Sequence, residues 1–271
     1  MEKNHRLRAL AKQYRRELIE MLYRVQTGHP GGSLSATEIL LLLFKEVLHF
    51  DSKQPEMPGR DRFVLSKGHA APMLYLNLAH EGFFPLDDLK SLRQEGSHLQ
   101  GHPCWHKTPG VELSTGPLGL GISAAIGMAL AAKLKQSNEY IYVLVGDGEL
   151  QEGIVWEALM SASKFKLNNL VMIIDNNGIQ LDGSVKEIMP LGNIEAKIRS
   201  FGWYVTRCDG HDFIALRQAF DSVRNSESTP KAIVADTVKG KGVSFMENTS
   251  IWHGKVIGDD EYAMAMKELA G

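Results

Sequence analysis

Two apolar runs, residues 140–145 and 170–174, constrain this chain most, because each is a continuous stretch of β-branched, aromatic and aliphatic residues without polar alternation. Such a run reads as a strand buried on both faces, and strands of that kind occur in parallel sheets covered by helices. A helix is predicted between them over about 153–165, so the two strands form one strand–helix–strand unit. Further strands are predicted at 63–65, 203–207 and 232–235, with helices at about 193–200 and 213–224. The expected fold class is therefore α/β, a parallel sheet with helices on both faces, forming one domain over 1–271.

Upstream, Leu7, Leu10, Tyr14, Leu18, Met21, Leu22 and Val25 recur at helical spacing and predict an amphipathic helix ending near Gly28. Ser35 with Glu38 reads as a capping box that opens a helix through Ile39, Leu42, Leu43 and Val47, leaving 27–32 as a loop between helices. Ser66-Lys67-Gly68-His69 follows the first strand and precedes a helix through Leu74 and Leu78. A loop-rich stretch is expected over 96–121, and a last helix over 260–269.

Several classes fall away on composition. Hydrophobic residues make up 44% and charged residues 23%, as in a globular protein. The net charge of −2 carries no footprint for nucleic acid. The longest apolar run, 39–44, is far short of the ~20 residues that cross a bilayer. The first eight residues are polar and basic, with no apolar core of a signal peptide, which places the chain in the cytoplasm as an expectation. Cys104 and Cys208 are isolated and expected to be reduced thiols.

The residues directly after the two central strands carry the chemistry. Gly146-Asp147-Gly148 stands between a strand and a helix, where glycines admit a phosphate to the backbone and a carboxylate can take a hard cation. Asn177 comes one strand–helix–strand pass later, which returns the chain to the neighbouring strand end. Asp-Gly and Asn-Gly also suit ordinary turns, but the spaced pair can share one ion. Mg2+, with its preference for oxygen ligands, would suit Asp147, the Asn177 amide and a nearby carbonyl, and would neutralise a diphosphate.

These residues resemble the thiamine diphosphate motif, and the fuller string Gly146-Asp147-Gly148-Glu149-Leu150-Gln151-Glu152-Gly153 is similar to its transketolase form. The likeness runs from about Tyr14 to His253. Gly28-His29-Pro30-Gly31, Asp61-Arg62-Phe63-Val64-Leu65-Ser66-Lys67-Gly68-His69, Gly101-His102-Pro103 and Gly116-Pro117-Leu118-Gly119-Leu120-Gly121 match in order. The resemblance implies a metal held by Asp147, Asn177 and the Ile179 carbonyl, with Mg2+ as the ion and Ca2+ or Mn2+ as substitutes. It implies that Gly148 gives its N–H to the diphosphate, that His69 and His253 approach that end, that the Gly116 to Leu118 backbone meets the aminopyrimidine ring, and that Leu181 packs near the cofactor. His29 and His102 would face the sugar, and Glu152 would join a carboxylate network across a subunit boundary. The match around His253 is looser. The remaining histidines, His5, His49, His80, His98, His106 and His211, are expected to be surface or satisfied side chains. Lys239-Gly240-Lys241-Gly242 reads as a mobile solvated loop, or else as a basic loop that contacts phosphate.

Single-chain transketolases continue through pyrimidine-binding and C-terminal domains that this sequence lacks. The resemblance thus implies a split enzyme whose second chain carries the pyrimidine domain, in an assembly of two copies of each, moving a two-carbon ketol unit from a ketose phosphate to an aldose phosphate. Competing expectations are the cofactor subunit of a deoxyxylulose-phosphate synthase-like enzyme or of a 2-oxoacid dehydrogenase, a split transketolase specialised for an unusual or sulfonated sugar, and a non-catalytic partner that keeps the fold. The three Gly-flanked histidine loops argue against the dehydrogenase, since hydroxyl-rich donors need more polar partners than a short 2-oxo acid.

Overall fold

The computed structural model of the chain describes residues 2–226 and 228–270; Met1, Glu227 and Gly271 of the expected 1–271 domain lie outside the described residues. The strands are β1 (Arg62–Leu65), β2 (Ile141–Gly146), β3 (Leu170–Asn176), β4 (Tyr204–Asp209) and β5 (Lys231–Asp236). The helices are α1 (Glu2–Val25), α2 (Pro30–Ser35), α3 (Thr37–Leu42), α4 (Ala71–His80), α5 (Leu120–Leu134), α6 (Gly153–Lys164), α7 (Val185–Ile188), α8 (Ile194–Ser200), α9 (Phe213–Arg224) and α10 (Asp259–Glu268). All strand pairs are parallel, in the order β1-β2-β3-β5-β4.

The absence of alternation in the central strands has a direct structural cause. In β2, Tyr142 and Leu144 pack with α1, α3, α4 and α9, whereas Ile141, Val143 and Val145 pack with α5, α6 and α8. Residues 171 and 173 of β3, and 233 and 235 of β5, face the first layer, and their neighbours the second. Each fully buried aliphatic contributes about 1.5–3 kcal/mol relative to exposure, so the sheet is the stiff frame on which the strand ends are displayed. The register sets Gly146 beside Asp175 and Asn176 beside Asp236, which aligns the carboxyl ends of β2, β3 and β5. The chain passes outward to β4 and then returns to β5 through α9 on the opposite face from α6 and α8, so the winding reverses at this edge.

Two expectations at the N-terminal side are corrected. Helix α2 already begins at Pro30, whose fixed φ suits a first helical position, so the loop between helices is shorter than 27–32. Ser35 and Glu38 form no capping box: the N-cap of α3 is Ala36, without a side-chain cap bond. Tertiary partners take both side chains instead. The Ser35 hydroxyl is 2.5 Å from Asp175 Oδ2, and the Glu38 carboxylate accepts both Arg15 guanidinium NH2 groups. Beyond Leu42 the helix continues with a wider turn to Val47, closed by Leu48 N–H on the Leu43 carbonyl at 2.9 Å. Helix α5 is not among the predicted elements. Its run of Ala, Gly and Ser blurs the apolar period, and its first turn follows Gly119, which adopts a left-handed φ of 82°.

Candidate active site

At the carboxyl ends of β1, β2 and β3 lies a cavity of about 350 Å³, lined by the expected metal ligands Asp147, Asn177 and Ile179, by His29, His69, His102 and His253, and by Gly116, Leu118, Gly148, Glu152 and Leu181. One side is built by the turns after β2 and β3. Asp147 is 2% exposed and accepts hydrogen bonds from the Gly148 N–H at 2.8 Å and the Gly178 N–H at 2.5 Å. Asn177 Oδ1 accepts from the Ile179 N–H at 3.1 Å, and the Ile179 carbonyl accepts from Lys239, which lines the same cavity. The hairpin from 179 to 184 is pinned by Gln180 N–H to the Gly183 carbonyl and by Val185 N–H to that of Gly178, both 2.9 Å, and presents Leu181 at its tip. Gly148 leaves clearance here, since a Cβ on it would lie 3.0 Å from Gln180 Cβ.

The opposite side is a cluster of imidazoles from loops far apart in sequence. His29 has ring centroids of His253, His69 and His102 at 5.4, 5.5 and 6.0 Å, and His69 lies 4.9 Å from His253. Burial is the main cause that lowers their pKa values. His29 falls to about 4, helped by Arg93, and His253 to about 3, helped by Lys239. His69 falls well below its ordinary value, with Lys67 next in effect, and His102 is lowered by burial and Arg93. Neutral at physiological pH, such rings can each donate and accept one hydrogen bond. Their close packing needs Gly32, where a Cβ would stand 2.8 Å from His69 Nε2.

Between the two sides sit groups to which sequence reasoning assigns no role. Lys67, 1% exposed, donates to the Gly32 carbonyl at 2.9 Å and is ion-paired with the fully buried Asp175. Burial works against the Asp175 charge, yet Lys67 and the Ser35 and Thr237 hydroxyls more than offset it and hold its pKa below the ordinary value. Glu149 accepts from Ser66 Oγ, from Gly119 N–H at 2.8 Å and from Gly146 N–H at 3.0 Å, tying the ends of β1 and β2 to the loop of Gly116 and Leu118. Glu152, which the resemblance expects in a carboxylate network, is exposed at the rim as the N-cap of α6 and makes no side-chain cap bond. The one available signal for Lys67 and Asp175 is a charge within two residues of the end of an apolar run.

The segment 239–242 is a correction. Lys239 is not on a mobile solvated loop: it is 2% exposed, lines the cavity, and donates to the Ile179 carbonyl and to His253 Nδ1, both at 3.0 Å. Burial, and then Lys67, pull its pKa down to about 8. Its backbone is tied by Gly240 N–H to the Gly31 carbonyl at 3.0 Å, a close approach that Gly31 permits, since a Cβ there would lie 3.1 Å from Lys239 Cγ.

The donor set suits a divalent ion and a diphosphate. No group of three His, Cys, Asp or Glu gathers as a metal cluster among the described residues; what gathers is one carboxylate, one amide oxygen and one carbonyl, a hard oxygen set with room for phosphate oxygens. The Asp147 carboxyl, pushed up to about 6 by burial and then by Asp175, is a group whose charge a bound cation would stabilise. The Ile179 carbonyl already receives a cationic partner, the Lys239 ammonium.

Comparison with known proteins agrees with this geometry. A model of the family described as "Transketolase, thiamine diphosphate binding domain" matches residues 7–271. The chain belongs to the transketolase family. It is 40% identical, over 94% of its own length and 93% of the other, to the 6-deoxy-6-sulfo-D-fructose transketolase subunit SqwG of Clostridium sp. (strain MSTE9). To an apulose-4-phosphate transketolase subunit of Actinobacillus succinogenes it is 42% identical, over 96% and 94%. Transketolase of Campylobacter jejuni superposes with a TM-score of 0.92 at 35% identity, covering 97% of this chain but 42% of that one. The chain is thus a transketolase-type thiamine diphosphate-binding domain, equal in extent to relatives that are named as subunits and to less than half of the longer transketolases. Among the described residues no helix is long and apolar enough to cross a membrane.

Proposed function

We propose that this chain is the cofactor-holding subunit of a two-chain, Mg2+-dependent transketolase that moves a two-carbon ketol unit from a ketose phosphate to an aldose phosphate in the cytoplasm. The observation that carries the reading is the meeting of Asp147, Asn177 and the Ile179 carbonyl on one side of a cavity whose other side is four neutral imidazoles. Thiamine diphosphate, when bound, supplies the nucleophilic carbon and the electron sink for making and breaking the carbon–carbon bond. This chain's own residues bind and orient. Asp147, Asn177 and Ile179 hold the ion, Lys239 and the Gly148 N–H, once released from the Asp147 carboxylate it meets in the metal-free chain, face the diphosphate, and the Gly116 to Leu118 backbone and Leu181 bound the rings. His69 and His253 sit at the diphosphate side. His29 and His102, at the open side, hydrogen-bond substrate hydroxyls and pass protons at those oxygens.

A second polypeptide with a pyrimidine-binding domain would close the site, in an assembly with two copies of each chain. The apolar side chains left open beside the cavity, Leu118, Leu120 and Leu181 at 39%, 49% and 61% exposure, are the kind of surface such a partner covers. The names of the relatives support a second reading of the substrate, in which the donor is one unusual sugar, sulfonated or otherwise, and a panel of ketoses assayed with the mixed subunits separates the two. For the site itself, the test is thiamine diphosphate binding in the presence of Mg2+ by the chain and by Asp147→Ala. Removing a buried charged ligand costs roughly 3 kcal/mol, about a hundredfold in affinity; unchanged affinity would remove the reading.

A further inference from the structure

His211 and Arg15 lie outside the cavity, and no role follows for them from cofactor or substrate. Both converge on Glu38. Arg15 Nη1 and Nη2 donate to its two carboxylate oxygens at 2.6 and 2.7 Å, and His211 Nδ1 is 2.8 Å from Glu38 Oε2. The far ends of the same two side chains both grip the segment that carries Lys239. The Val238 N–H donates to His211 Nε2 at 2.8 Å, and Arg15 Nε donates to the Lys241 carbonyl at 2.8 Å. Because Nε2 accepts, the neutral ring carries its proton on Nδ1 and donates it to Glu38, so the tautomer is fixed from both sides. Burial opposes the Glu38 charge, and Arg15 and His211 overcome it, holding the carboxyl down at about 2. The backbone of Lys239 is thus fastened one residue before and two residues after the side chain that enters the cavity. Gly242 makes room for this, since a Cβ there would lie 2.7 Å from Arg15 Cδ.

We propose that His211 and Arg15 are positioning residues: joined through Glu38, they clamp residues 238–241 and so aim the Lys239 ammonium at the Ile179 carbonyl and His253. The three side chains come from α1, α3 and the loop before α9, so the clamp ties the outer helical layer to the inside of the cavity. It rests on the proposed function only in taking Lys239 to face the diphosphate. Lost charge-assisted bonds of this kind are worth about tenfold in an equilibrium.

Two measurements on the full chain test it. In hydrogen exchange, His211→Ala is expected to speed the amides of 238–242 about tenfold while β2 and β3 keep their protection, and His211→Gln, which retains an acceptor near the Val238 N–H, is expected to recover most of that loss. Unchanged exchange at 238–242, or equal acceleration across the sheet, overturns the clamp. In the second, Mg2+-dependent thiamine diphosphate affinity is measured for His211→Ala, Lys239→Met and the double variant. If the clamp acts through Lys239, the double variant binds no more weakly than Lys239→Met alone; additive losses overturn that route. Should Lys239→Met leave the affinity unchanged, the diphosphate reading of Lys239 fails, and exchange alone decides the clamp.

Discussion

On one side of the cavity the polar groups are offered by strand ends: Asp147 directly follows β2, Asn177 directly follows β3, and backbone N–H groups of these two adjoining turns, Gly148, Gly178 and Ile179, fix both. On the other side four imidazoles arrive from separate loops, and none of the four is fixed by a short local turn of that kind. They are held from a distance: Lys239 donates to His253, Arg93 lies beside His29, and the buried Lys67–Asp175 pair joins β3 to the loop after β1 and to the Gly32 carbonyl beside His69. The carboxylate side is local and backbone-made, whereas the histidine side is tertiary and depends on buried charge. Their failure modes should differ accordingly.

The largest effect is expected from splitting that pair. Asp175→Ala leaves the Lys67 ammonium at 1% exposure without its carboxylate, and an unpaired buried charge costs about 3–5 kcal/mol. Urea unfolding of the chain should show a fall of that size. Lys67→Met combined with Asp175→Ala should recover much of it, because the double variant leaves no unpaired charge buried. A single-variant loss below about 1 kcal/mol would mean that the histidine side stands without this pair.

An intermediate effect separates the two sides by the sign of their pH dependence. His29 has its pKa lowered to about 4 from an ordinary value of 6.5, so the unfolded chain binds more protons between those limits and stability rises with pH across them. His69, His102 and His253 are shifted the same way. Asp147 is raised from 3.8 to about 6, so the folded metal-free chain binds more protons there and stability falls as pH rises through that window. With four imidazoles set against Asp147, Glu149 and Asp61, whose carboxyls burial raises, the urea midpoint of the metal-free chain should climb from about pH 4 to about pH 6.5. Asp147→Asn should steepen the climb and His29→Asn should flatten it. A flat profile in the parent chain, or the opposite order of slopes, would show that burial does not set these charges.

The same division explains how much is legible in the sequence. The strands, α6, α8 and α9 follow from uninterrupted apolar runs and clear helical periods, and the observed bounds differ from the expected ones by two residues at most. Asp147 and Asn177 are legible because strand ends place residues predictably in a parallel sheet. The histidines are reached only through the resemblance, since nothing local to Gly28-His29-Pro30 says that His253 will lie 5.4 Å away. Lys239 is misread for the same reason: a Lys-Gly-Lys-Gly string has the composition of a solvated loop, and the partners that hold the segment 238–241, Gly31, His211 and Arg15, are distant in the chain. Ser35 and Glu38 fail in reverse, a local capping pattern overridden by Asp175 and Arg15. Long-range buried charge is the information that neither propensity nor periodicity contains.

The smallest expected effect sharpens the contrast from outside the cavity. Asn193 caps α8 on the layer away from the imidazoles, its Oδ1 accepting from the Ala196 N–H at 2.9 Å. Asn193→Ala should cost about 1 kcal/mol and lower the melting temperature by about 2–4 °C. The cofactor affinity and the pH slope should stay as in the parent chain, because neither side of the cavity draws a partner from α8. If the cap variant weakened thiamine diphosphate binding as much as it weakened the fold, the strand ends would not be insulated from the helical layer by the stiffness of the sheet. The carboxylate side would then be as dependent on distant packing as the histidine side.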